Sequence, residues 1–309
     1  MITSVFRKST PLNFSMVVIL MLVFFLIFQF QDLSWTNSIF LMVSKAGLFC
    51  LLLVSMFTTS FIAKRNGLSK DSAFTIFFFL LFLLFFPSVL NNANLIIANF
   101  FILLAIRRLV SMQSLKAAKE KIFDASFWIF VATLFHFWSI LFILLVFISI
   151  IFHVARDYRN WFLPIIALVS VAIVSLVFAS VFDIDILAFF SYSMQTNFKI
   201  DYFTNNYQNV AFAIYATIAL FFILTMFATL SSKPQILHSS YKKIIASFFI
   251  GVLVFLISAE KSNDLLLFTI APLSILVTTD IEIPQVKLNQ ELIFYALVIC
   301  SMFTFFTQL

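Results

Sequence analysis

One histidine stands within a run of aromatic and aliphatic residues, where an ionisable ring is unusual. The run reads LFHFWS, so His136 is flanked by Phe135 and Phe137. A neutral imidazole can act as a general base because it titrates close to neutral pH. Ionisable groups in apolar membrane segments are commonly functional. We therefore predict that His136 is catalytic, with a structural alternative in which its ring binds a backbone carbonyl.

Four more charged residues could assist at a polar ligand. Lys45 lies in an apolar segment, where its ammonium could meet a phosphate or reach the interface along its flexible stem. Glu260, Lys261 and Asp264 belong to the short segment SAEKSND, which could bind a sugar or form a solvated turn. We predict that Lys45, Glu260, Lys261 and Asp264 contact substrate.

The sequence has no pattern that indicates a metal or a cofactor. Cys50 and Cys300 are isolated and have neither CxxC nor zinc-ligand spacing. The chain also has no glycine-rich phosphate loop, no GxSxG, no HExxH and no dinucleotide fingerprint. We therefore expect no metal and no cofactor.

The elements that hold these residues are predicted to be membrane-spanning helices. Of the 309 residues, 63% are hydrophobic and 10% are charged, whereas a soluble domain is about one-quarter charged. Segments such as AFTIFFFLLFLLFFPSVL are apolar on every face, which argues against alternating β-strands. The basic residues cluster beside apolar segments, which favours a role in topology over nucleic-acid binding.

Nine apolar segments have the length of one membrane span, and one further segment is too long. The nine lie at approximately 13–30, 38–62, 73–90, 94–110, 162–182, 209–230, 242–259, 264–279 and 290–307. The remaining segment, 125–154, would form a helix of about 45 Å, against about 30 Å of hydrocarbon. Its length alone does not fix its path.

Charge decides the path of segment 125–154. A single crossing would invert the positive-inside rule for the second half of the chain. A helical hairpin leaves every Lys and Arg on the cytoplasmic side except Lys45, Lys199 and Lys261. We therefore predict an all-α polytopic membrane bundle of about ten or eleven spans. The bundle forms one domain, residues 1–309, with a hairpin at 125–154 and the His136 bend near the outer face.

Residues 91–147 resemble a segment of the EpsG-like and Wzy-like bacterial polysaccharide polymerases. The similar parts are the polar entry and span at 94–110, the basic turn at 116–121 and the helix ending in ATLFHFWS. The resemblance implies a polymerase-like or glycosyltransferase-like activity on lipid-linked glycan at the outer face. Those polymerases tend to carry an arginine at the outer start of the span, where this chain has NLIIAN.

The whole chain also resembles a family of multi-pass proteins of Bacteroidota with no established activity, on MITSVFRKSTPLNF and IAPLSILVTTDIE. These resemblances imply the bacterial inner membrane, and charge predicts a cytoplasmic N-terminus and a periplasmic C-terminus. The enzyme hypothesis has two alternatives, a non-enzymatic lipid-binding or scaffolding subunit and a carrier of lipid or amphipathic solute. The expected partners are membrane lipid, lipid-linked glycan and other membrane proteins, but no nucleic acid.

The 46 phenylalanines have two interpretations. They could line a path for an acyl chain or isoprenoid, or they could simply face lipid. The composition favours lipid-facing positions, because apolar surface is what a bilayer requires.

Overall fold

The computed structural model of the chain describes residues 6–183, 194–197, 206–259, 261–283 and 287–309, and only the backbone of 287–289. These parts form eleven α-helices, and their only extended pairing is an isolated bridge between Thr196 and Ser258. The predicted all-α bundle is confirmed. The helices are α1 Pro11–Gln29, α2 Ile39–Arg65, α3 Phe74–Leu83, α4 Ala93–Val110, α5 Ala118–Thr133, α6 Ile143–His153, α7 Arg159–Val181, α8 Asn206–Thr229, α9 Gln235–Ile257, α10 Leu267–Ile281 and α11 Lys287–Thr307.

Eight of these helices, some extended by a flanking 3-10 turn, are long and apolar enough to cross a membrane. Helix α3, and α6 with its preceding turn, are shorter but apolar. The protein is therefore a multi-pass membrane protein. The segments that connect the helices lie at two ends of the bundle, and segments at the same end contact one another.

One end is rich in lysine and arginine, and we call it the basic end. There the backbone N–H of Lys70 donates to Glu282 at 2.6 Å, joining the α2–α3 connection to the end of α10. Lys119 forms an ion pair with Asp157 at 3.1 Å, joining α5 to the α6–α7 connection. The basic side chains of this end include Arg7, Lys8, Lys64, Arg65, Lys70, Arg107, Arg108, Lys116, Lys119, Lys121, Arg156, Arg159, Lys233, Lys242 and Lys243.

The opposite end carries amides, hydroxyls and few charges, and we call it the polar end. Ser88, between α3 and α4, donates a hydrogen bond to Asp264, between α9 and α10. Gln31 donates to the backbone oxygen of Leu309 at 2.7 Å, which brings the C-terminus to this end. The polar end comprises Asn91, Asn92, Asn94, His136, Ser258, Lys261 and Asp264.

The predicted hairpin is present, and its first arm begins before residue 125. Helix α5 starts at Ala118, and α6 ends at His153. His136 lies at the bend in extended conformation (φ −144°, ψ 107°), directly before a 3-10 turn at Phe137–Phe142. Its backbone N–H donates to the carbonyl of Ala132 at 3.0 Å. This bond satisfies a backbone donor for which lipid tails offer no acceptor.

Two helices form the centre of the bundle. Every residue of α3 and every residue of α10 is buried. The phenylalanines of segment 74–86 therefore pack inside the protein, so their interpretation as lipid-facing residues is wrong for this segment. Gly251 of α9 permits close contact with α10, because a Cβ there would lie 2.9 Å from Cγ2 of Thr269.

Helix α7 is peripheral. Its Ala167 and Val171 pack against Phe130 of α5 in a small cluster outside the main core. Much of its remaining surface consists of exposed aliphatic and aromatic side chains, among them Phe162, Ile166, Ile173, Val177 and Phe178. In a multi-pass membrane protein such a surface contacts lipid.

Candidate functional site

The ring of His136 is held by the end of α9. Its Nε2 lies 3.3 Å from Oγ of Ser258, and the same hydroxyl lies 2.7 Å from the backbone oxygen of Val254. A serine hydroxyl has one proton, which it donates to the carbonyl, so it accepts from Nε2–H. This arrangement selects the tautomer with its lone pair on Nδ1. That nitrogen is the basic position of the ring.

A cavity of about 580 Å³ opens beside His136 at the polar end. The hairpin bend contributes His136, the start of α4 contributes Asn92 and Asn94, and the α9–α10 connection contributes Ser258 and Lys261. A proton acceptor, an ammonium and two amides thus surround one space. Such a set can bind a ligand that carries both hydroxyls and a negative charge.

Asp264 lies behind this cavity, among the asparagines that begin α4. The residue is 8% exposed, and its carboxylate accepts hydrogen bonds from the hydroxyl of Ser88 and, at 3.3 Å, from Nδ2 of Asn92. The side-chain oxygen of Asn92 accepts from the N–H of Leu95 and caps α4. Asp264 therefore fixes the orientation of an amide that lines the cavity.

A second pocket, of about 430 Å³, adjoins the first. Asp264 and Asn91 line it, and both pockets share Asn92 and Asn94. Lys45 reaches the edge of this pocket, because its Nζ donates to Oδ1 of Asn91 at 2.5 Å. The two pockets therefore adjoin at Asn92 and Asn94.

The residues predicted from the sequence thus lie in neighbouring positions. His136 and Lys261 line one cavity, whereas Asp264 lines the adjoining pocket and Lys45 contacts its wall. Glu260 lies outside the described residues. In the part of the chain that the structure describes, no group of three His, Cys, Asp or Glu could hold a metal ion.

The amides of Asn91, Asn92 and Asn94 and the hydroxyl of Ser258 were not predicted from the sequence. The segment NNAN at 91–94 carried a signal, since polar residues at the start of an apolar helix must find partners or face a polar space. Ser258 carried no comparable signal, because a serine at the end of a span is common. Its role depends on a contact between residues distant in the chain.

A family model described as a family of unknown function (DUF6427) matches residues 7–309. No curated protein and no solved structure matches the chain. The match covers nearly the whole chain but assigns no reaction. The residues at the polar end are therefore the basis for inferring a function.

Proposed function

We propose that this chain, which belongs to the DUF6427 family, binds a lipid-linked glycan at its polar end and transfers sugar in the manner of a polysaccharide polymerase. The cavity that joins His136 and Lys261 to the amides of Asn92 and Asn94 is the observation that carries the proposal. Amides bind sugar hydroxyls, and an ammonium binds the phosphate of a lipid carrier. The resemblance of residues 91–147 to bacterial polymerases supports the same substrate.

The proposed reaction is a glycosyl transfer to a sugar hydroxyl. Nδ1 of His136 takes the proton of the acceptor hydroxyl while the hydroxyl oxygen attacks the anomeric carbon of the donor. The bond from that carbon to the lipid diphosphate breaks, and the diphosphate leaves with the electron pair. Lys261 stabilises the charge that develops on the leaving oxygen. The imidazolium then releases its proton to water.

The remaining polar residues have positioning or binding roles in this proposal. Asp264 orients the Nδ2 group of Asn92 and accepts from sugar hydroxyls in the adjoining pocket. Lys45 contacts Asn91 rather than the cavity of His136, so it serves the distal part of the ligand.

The proposal requires the polar end to face the periplasm. Lysine and arginine gather at the basic end, and the positive-inside rule puts such residues in the cytoplasm. Lys8 near the N-terminus belongs to that end, whereas Leu309 contacts Gln31 at the polar end. We therefore propose the bacterial inner membrane, with a cytoplasmic N-terminus and a periplasmic C-terminus.

A non-enzymatic lipid-binding or scaffolding role in an envelope assembly is the second candidate. One observation favours it. Within the described residues, the His136 ring is bonded to Ser258 rather than to a carboxylate, while Asp264 is held by Ser88 and Asn92. In this case His136 would tie the hairpin to α9 and the cavity would hold a lipid headgroup without reaction.

Deletion and complementation separate the two candidates. We expect a deletion strain to lose surface glycan and accumulate lipid-linked precursors, and the wild-type gene to restore both. His136→Gln should fail to restore them at normal protein abundance. The matched control is His238→Gln, since His238 lies at the basic end and contacts the carbonyl of Lys233. Unchanged glycans and precursors in the deletion strain would contradict the enzyme and leave the non-enzymatic role.

A further inference from the structure

A second large cavity lies at the basic end, far along the hairpin from His136. Its volume is about 810 Å³, and it opens between the start of α5 and the α6–α7 connection. Lys119 and Arg156 line it together with Glu120 and Asp157. The two cations and two carboxylates cancel, so this wall has no formal net charge. The cavity therefore does not favour a strongly anionic ligand.

The start of α5 offers backbone donors to this cavity. Ala117, which precedes the helix, is in the left-handed region (φ 51°, ψ 43°), and no side chain caps the helix. The first N–H groups of a helix have no partner within it and attract anions, as does the positive end of the helix dipole. Ala118 and Lys119, which carry such groups, line the cavity.

Asn160 supplies an independent sign of a ligand. It lines the cavity, although its side chain is only 2% exposed. Its Nδ2 donates to the carbonyl of Val154 at 3.1 Å, whereas Oδ1 has no hydrogen-bond partner among the described atoms. A buried acceptor without a partner is costly in a folded protein, and a ligand that carries an N–H or O–H group would satisfy it.

His153 belongs to the same wall and is held by a buried lysine. Nζ of the buried Lys243 lies 3.1 Å from Nε2 of His153 and 2.6 Å from the carbonyl of Leu109. A lysine ammonium can only donate, so Nε2 accepts and the ring proton lies on Nδ1. His153 is among the residues that line the cavity, together with the helix N–H groups and Arg156.

The cavity wall has charged groups that could bind an anion and others that could bind a cation. Lys119 is paired with Asp157 at 3.1 Å, and its hydrogen bond holds the pKa of that carboxyl below its usual range. Asp157 is therefore ionised at neutral pH. The cavity offers donors and Arg156 to an anion, and the Asn160 oxygen with carboxylates to a cation. A zwitterion matches both.

Part of the cavity wall is apolar and exposed. Ile151 and Phe152 of α6 line it and are 56% and 42% exposed. A ligand with acyl chains would place them along these side chains. We propose that this cavity binds the headgroup of a zwitterionic phospholipid with a primary ammonium, such as phosphatidylethanolamine, and this proposal does not depend on the proposed reaction. The phosphate binds at the start of α5 and Arg156, and the ammonium donates to Oδ1 of Asn160.

Lipid titration of the purified full-length protein in detergent, followed by native mass spectrometry, tests this site. We expect phosphatidylethanolamine to bind about tenfold more tightly than phosphatidylcholine, whose ammonium has no N–H to donate. Diacylglycerol, which lacks the phosphate, should not bind. Equal affinity for the two phospholipids would overturn the proposal, as would binding of diacylglycerol. Displacement of the lipid by an equal concentration of inorganic phosphate would assign the site to free phosphate and overturn it too.

Two variants locate the binding. Arg156→Gln, at an exposed position, should weaken both phospholipids about tenfold, because it removes a charge-assisted hydrogen bond. Arg65→Gln is the matched control, since Arg65 is exposed at the same end but does not line the cavity. Asn160→Ala should abolish the preference for phosphatidylethanolamine and leave phosphatidylcholine binding unchanged. An equal loss in the Arg156 and Arg65 variants would contradict the assigned site.

Discussion

The imidazole of His136 and the hydroxyl of Ser258 are joined by a hydrogen bond of 3.3 Å between Nε2 and Oγ. This bond ties the bend of the α5–α6 hairpin to the end of α9. It also selects the ring tautomer, because the serine proton is already donated to Val254. The orientation and the basic nitrogen of His136 therefore depend on a residue from a distant part of the chain.

Ser258→Ala should lower activity without abolishing it. The change removes the acceptor of Nε2–H, so both tautomers become populated and the ring is less firmly held. The expected loss is about tenfold in turnover, as for one net hydrogen bond. Turnover of a lipid-linked glycan measures it. The control is Ser262→Ala, which changes a residue of the same cavity but removes no hydrogen bond to His136 among the described residues. Equal losses of turnover in the two variants would contradict a role for tautomer selection.

Gly251→Ala should destabilise the bundle. The new Cβ would lie 2.9 Å from Thr269 Cγ2 and 3.2 Å from the backbone carbon of Phe268, so α9 and α10 must separate. Overpacking of this kind costs about 1–3 kcal/mol, which thermal unfolding in detergent would detect. Gly47→Ala is the control, because nothing lies within 4 Å of its Cβ. A melting temperature unchanged in both variants would contradict the close helix contact.

Lys243→Met should destabilise the basic end. The buried ammonium donates to the carbonyl of Leu109 at 2.6 Å and contacts His153, so methionine would remove a buried hydrogen bond from the end of α4. The expected cost is about 1–3 kcal/mol, measured by chemical denaturation in detergent. Lys242→Met, at the exposed neighbouring position, should have little effect. Equal stability of the two variants would contradict a capping role for Lys243.

The proposed orientation is testable by cysteine labelling in intact cells. After Cys50 and Cys300 are changed to serine, Thr36→Cys places a thiol in the α1–α2 connection at the polar end. A membrane-impermeant maleimide should label it. Lys116→Cys, in the α4–α5 connection at the basic end, should react only after the membrane is permeabilised. Labelling of the Lys116→Cys variant in intact cells would indicate the inverse orientation and contradict a periplasmic reaction.

The sequence was sufficient for the class of fold and for the hairpin. Burying a charge in hydrocarbon is costly, so long apolar segments and the placement of lysine and arginine carry most of the topological information. Helix α9 starts earlier than predicted, at Gln235, because its polar first turns find partners at the basic end. For example, the hydroxyl of Tyr241 donates a hydrogen bond to the carbonyl of Leu68.

The depth of each helix in the bundle was not predictable from hydropathy. Lipid tails are as apolar as a protein core, so the phenylalanines of α3 have the same pattern whether they face lipid or neighbouring helices. The site was only partly predictable for a related reason. His136, Lys261 and Asp264 stand out by residue type, but the bonds from Ser258 and Ser88 join residues far apart in the chain.

In the proposed reaction, His136 is the base for glycosyl transfer at the polar end. The most direct measurement is turnover by the purified protein, reconstituted in liposomes with a lipid diphosphate-linked oligosaccharide, with chain length of the product as the readout. We expect the wild-type protein to extend the glycan. We expect His136→Gln to bind the same substrate but to extend it about a hundredfold more slowly or worse, as loss of a general base predicts. Extension at the wild-type rate by His136→Gln would contradict this role of His136, and so would the absence of extension by the wild-type protein.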